Sequence, residues 1–155
     1  MDFAIRGLDP APFRDLYGMG AGALSRRLAQ RVVADAAFGY PDRIQLSDAA
    51  IGETLLLVHY VHQGAATPYR ASHAVFVREG AEQPALWIDR VPPMLGRRML
   101  SLRAFDAADA MVDAELVAGD DAAPVIRRML ASTRAAYLHA HFAVRGCIAA
   151  RIDRS

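Results

Sequence analysis

The run Thr54-Leu55-Leu56-Leu57-Val58-His59-Tyr60 is apolar on both of its alternating sides. Side chains alternate across a strand, so Leu55, Leu57 and His59 share one face and Leu56, Val58 and Tyr60 the other. A strand with two apolar faces belongs in the middle of a sheet, covered from both directions. That demands layers of structure above and below it. With 155 residues the chain is long enough to build one compact core around such a strand. No linker, low-complexity tract or repeat interrupts it, so a single globular domain over residues 1–155 is expected.

Further strand-like segments fall at residues 3–6, 32–34, 43–46, 73–78, 99–105, 111–117, 136–142 and 147–152, the last two joined by a loop containing Gly146. Helical spacing is confined to two stretches. In residues 21–30, Leu24 and Leu28 lie one turn apart while Arg26, Arg27 and Gln30 face away. In residues 122–133, Val125, Ile126, Met129 and Leu130 form a stripe opposite Arg127 and Arg128, with Asp121 placed to cap and Pro124 in the first turn. Strands therefore clearly outnumber helices, without strict alternation of the two. The expected fold class is α+β: an antiparallel-rich mixed sheet of about six to seven strands with two main helices.

Composition removes several classes of function. An apolar share of 54% with 23% charged residues excludes disorder. No apolar run approaches the roughly 20 residues that span a bilayer, and no secretory signal pattern opens the chain, so no membrane partner is expected. All 18 basic residues are arginine, yet the net charge is only +1, which speaks against a nucleic-acid partner. Alanine and arginine are enriched together, which points to genomic base composition more than to a taste for guanidinium forks. The glycines around Gly18-Met19-Gly20-Ala21-Gly22 follow no convincing strand, so a dinucleotide-binding loop is a poor fit. One cysteine forms no internal disulfide, and a cytoplasmic protein is expected.

The polar residues of interest fall in two apolar regions. In Tyr137-Leu138-His139-Ala140-His141, the phenol and both imidazoles share a strand face about 7 Å apart, with Leu138, Ala140 and Phe142 on the other. A His-x-His pair can supply two ligands to one metal, but two ligands do not make a site, so no metal is assigned and the cofactor is left unknown. Hairpin register decides the place of Cys147. If Phe142 faces Cys147 the thiol lies away from the histidines; if His141 faces it, a Cys–His pair forms. Both registers stay open. His59 lies where its strand gives way to loop, a usual place for functional side chains, and His62 lies beyond it. The run Thr67-Pro68-Tyr69-Arg70-Ala71-Ser72-His73 can hold an anion, with Arg70 in bidentate contact, Ser72 donating a hydrogen bond and His73 donating a proton. Alternatively, Tyr69 and Arg70 simply tie down a long loop. Arg103, Asp106, Asp109 and Asp113 surround a turn whose chemistry explains the acids, and they receive no function.

Across Tyr40-Pro41-x-Arg43, the stretch from Pro68-Tyr69-Arg70 through Phe76-Val77-Arg78-Glu79-Gly80, Arg103-Ala104-Phe105-Asp106, and Tyr137-Leu138-His139-x-His141 to Gly146-Cys147, the chain resembles a bacterial family called domain of unknown function 1203. The resemblance spans essentially the whole chain and implies a small stand-alone bacterial protein, with no activity and no residue roles to carry over. Similar members often carry a cysteine where this chain has Asp42, so a cysteine pair with Cys147 is not expected to be essential.

The functional expectation is a protein binding a small anionic ligand in a cleft lined by histidine and arginine. Its candidate catalytic residues are His73, His139, His141 and Cys147, and its candidate ligand-binding residues are Arg43, His59, Tyr69, Arg70 and Ser72. The alternative is a non-catalytic interaction protein or homo-oligomer whose histidines are structural.

Overall fold

The computed structural model of the chain describes residues 2–155. Its first half holds β1 (Phe3–Arg6), α1 (Ala21–Arg26), β2 (Ala29–Val33), β3 (Pro41–Asp42), β4 (Ser47–Asp48), β5 (Thr54–Gln63) and β6 (Ala71–Arg78). The second holds β7 (Leu86–Ile88), α2 (Pro93–Gly96), β8 (Met99–Phe105), β9 (Met111–Ala118), α3 (Ala122–Ala131), β10 (Tyr137–Phe142) and β11 (Ile148–Arg154). One sheet has the order β7-β1-β11-β10-β8-β9, the other β2-β5-β6-β3-β4. Among the described residues, only β3 and β6 pair in parallel. The expected antiparallel-rich α+β architecture is therefore present. The strand count differs: the described residues form eleven strands in two sheets, where one sheet of six to seven was expected.

The doubly apolar run became an internal strand of the second sheet. β5 lies between β2 and β6, with Leu55 and Leu56 fully buried on its opposite faces. Its cover is uneven, because Leu57 is half-buried and His59 is exposed. Leu56 and Val58 of β5 join Val75 and Val77 of β6 in one core cluster with Phe3, Ile5, Leu100 and Ile152 of the first sheet. α3 adds Ile126, Met129 and Leu130 to that cluster and packs on β8, β9 and β10. Removing a side chain of this size from a packed core typically costs about 2–5 kcal/mol, so both sheets depend on the same interior.

Three local expectations are corrected. The helix expected over 21–30 ends at Arg26, because Leu28 takes a left-handed conformation (φ 54°) and Ala29 then pairs with Val58. Residues 43–46 alternate in sequence but form a turn. The fully buried Asp42 carboxylate accepts the backbone N–H groups of Ile44 and Gln45, which curls the chain, and that of Arg78 on β6. Asp121 does not cap α3 through its side chain; a 3-10 turn over Gly119–Asp121 leads into the helix.

The turn at 43–46 also joins the sheets. Leu8 N–H donates to Arg43 O, and Ala85 N–H to Ile44 O. Gly7 passes so close that a Cβ there would lie 1.8 Å from Ile44 O. No helix among the described residues is long and apolar enough to cross a membrane.

Candidate functional site

The alternation read in β10 holds, and pairing extends it into rows across the first sheet. Tyr137 faces Phe105, His139 lies between Arg103 on β8 and Arg151 on β11, and His141 lies between Ser101 and Ile148. Paired residues project from the same face, so one surface presents two aromatic rings, two guanidinium groups and two imidazoles.

The end of β5 closes over that surface. Its pairing with β6 slips between Val61 and Gln63, and a bulge of this kind re-aims side chains. His62 and Gln63 are consecutive, yet both reach the first sheet. The His62 ring lies 4.9 Å from that of His141 and 6.0 Å from that of His139, and the last two are 6.1 Å apart. Gln63 Nε2 donates to the Tyr137 hydroxyl at 2.8 Å, and that hydroxyl donates to Asp109 Oδ1 at 2.6 Å. Three imidazoles from two sheets thus meet at one place.

The charged side chains that shift the imidazoles are arginines, of which Arg151 is paired with Asp153. Arg103 donates through Nε to Ser101 Oγ at 3.2 Å, and among the described residues no carboxylate pairs with it. Burial lowers its pKa. Burial also drives His139 down to about 3, helped by His62, Arg151 and Arg103. His141 falls to about 3 as well, again mainly by burial, although its bond to the Gly146 carbonyl acts in the opposite direction. His62 is lowered by burial, Arg103 and His73. At neutral pH the imidazoles are therefore uncharged, and the fixed charge nearest them is positive.

Among the described residues, His62 Nδ1 and His139 Nδ1 are buried ring nitrogens without a hydrogen-bond partner. An unpaired buried polar atom costs about 1–3 kcal/mol, so these two nitrogens are costly features of the group. No three His, Cys, Asp or Glu side chains among the described residues are arranged to hold a metal ion. The chemistry on offer is hydrogen bonding, proton exchange and attraction of negative charge.

The expected residues divide. His139 and His141 lie at the centre. His73 faces Tyr60 across the strands and acts electrostatically on His62, so it flanks the group from β6. Tyr69 reaches the edge, its ring 6.3 Å from Phe105. His59 and Ser72 belong elsewhere. They pair with Ala74 and Val61 on the outer side of the second sheet, where His59 lines a shallow hollow of about 420 Å³ with Leu28, Gln30 and Leu57. Arg70 bonds the Gly64 carbonyl and ties its own loop.

Cys147 and Arg43 are also apart from the imidazoles. Phe142 N–H donates to Cys147 O, and the thiol accepts Arg43 Nη2 at 3.0 Å. Arg43 also donates to Ile148 O and lies over the Phe142 ring, 4.9 Å from its centroid. Burial lowers this guanidinium to about 10, so it stays charged at neutral pH. Arg43 is a tie between the 43–46 turn and β11. Of the open registers, the one that turns the thiol away from the histidines is the one formed.

His62, Gln63 and Arg103 were missed as site residues. Alternation past Tyr60 could have placed His62 on the Tyr60 face, but not Gln63, which the bulge re-aims; Arg103 shows its place opposite His139 only once β8 pairs with β10.

A family model of proteins of unknown function matches residues 39–154, which include every residue of this group. The chain belongs to the DUF1203 family. No curated protein and no solved structure matches it. For this DUF1203 protein the geometry of the imidazole group is thus the direct source of a functional reading.

Proposed function

We propose that this protein binds a small oxyanion where the two sheets meet, with Arg103 as the charged anchor and His62, His139 and His141 as uncharged hydrogen-bonding neighbours. The observation that carries the reading is the partly buried Arg103 guanidinium, beside three uncharged imidazoles and, among the described residues, without a carboxylate partner. A guanidinium in partial burial is worth most to an anion it can grip with two N–H groups. The lone buried thiol and the family resemblance support a cytoplasmic setting in a bacterium.

Thermal unfolding in increasing phosphate or acetate at fixed ionic strength tests the reading. Binding to the folded state adds about 2.7 kcal/mol at a concentration one hundred times Kd. That amounts to a rise of several degrees for a chain of this size. Arg103→Met keeps the aliphatic stem and is expected to abolish the rise. No rise in the parent protein with any small oxyanion would overturn the proposal.

A second reading, in which the histidines are structural, draws on the near-complete burial of His139 between Phe105 (4.9 Å) and Tyr137 (5.3 Å). It predicts that His139→Gln loses stability while no anion changes the melting temperature of the parent.

A further inference from the structure

The hydrogen-bonding character of His141 narrows the chemistry of the occupant. Its Nδ1 lies 2.9 Å from the carbonyl oxygen of Gly146. A carbonyl oxygen only accepts, so Nδ1 carries the hydrogen, and the uncharged ring then presents Nε2 as a bare lone pair. No protein donor among the described residues satisfies Nε2. On the same face, one strand away, Arg103 pairs in the next row with His139 and offers only donors. This face therefore presents a donor fork and an acceptor nitrogen in adjacent rows. An anion made only of acceptors meets Arg103 well but confronts the His141 lone pair with another lone pair.

Resting on the proposed anion site, we infer that its occupant is an oxyanion carrying an O–H donor next to its charged oxygens. Two sources share this chemistry: phosphate groups that retain a proton, and 2-hydroxycarboxylates. Fully deprotonated, donor-free anions such as sulfate, and simple carboxylates such as acetate, are the wrong complement. Sites that hydrogen-bond a ligand hydroxyl discriminate against the analogue lacking it, because the acceptor covered by the ligand is then left unpaired.

Isothermal titration of the full chain at pH 7 and fixed ionic strength, with phosphate, sulfate, glycolate and acetate, tests the inference. Phosphate is expected to bind at least about tenfold more tightly than sulfate, or glycolate than acetate. Whichever pair shows the gap identifies the source. In His141→Asn the side-chain amide can still donate to Gly146 O but has nothing at the Nε2 position, so the gap closes while the weaker anion of the pair binds as before. Equal binding within both pairs overturns this inference and leaves the anion site standing. No binding of any of the four overturns both. The comparison in the parent protein stands even if the variant does not fold.

Discussion

His139 and His141 are 4% and 1% exposed, and every charged neighbour that shifts them is cationic or another imidazole. Their folded values, about 3, lie below the value of about 6.5 for an unfolded histidine. Between those limits the unfolded chain binds more protons, so stability rises with pH. The contribution is complete above about pH 6.5 and is lost as pH falls toward 3, at up to about 1.4 kcal/mol per pH unit for each ring. Urea unfolding at pH 7, 6, 5 and 4.5 is expected to show this slope, and the double variant His139→Gln, His141→Asn to flatten it. A slope unchanged in the variant would assign acid sensitivity to other groups. These two residues were legible because period-two spacing in β10 is local. Arg103 was not, since its meaning depends on a partner 36 positions later in the chain.

Strand limits explain much of the remaining difference. The apolar signal in β5 ends at Tyr60, but pairing with β6 continues to Gln63 because Ser72 and Ala71 extend the ladder. Polar residues at a sheet's end carry no burial signature, so the segment that brings His62 inward looked like loop. The hairpin tip beyond it is fastened by Arg70 to Gly64 O and by Thr67 Oγ1 to Tyr69 N–H. Arg70→Ala is expected to speed hydrogen exchange over residues 64–70 while leaving anion affinity within about twofold, as befits an exposed tie outside the anion contact. A tenfold loss of affinity would move the guanidinium anchor from Arg103 to Arg70. Arg43–Leu46 gave the opposite error. Alternation there was genuine, but the buried Asp42 carboxylate took two successive N–H groups and bent the backbone instead.

Two sheets around a shared core were not legible, because periodicity reports which face of a strand is buried but not against which sheet. What joins them is close backbone approach at Gly7, where any Cβ would collide with Ile44 O. Gly7→Ala is expected to cost at least about 3 kcal/mol in chemical denaturation, with β1 displaced from the 43–46 turn. An unchanged midpoint would mean that this junction yields freely. The imidazole trio has a corresponding dependence. Two of its rings ride on one sheet and the third on the other, so a slide of even an ångström between the layers alters their spacing. An anion lodged there would act as a pin through both plates, and its grip would report how firmly they are seated.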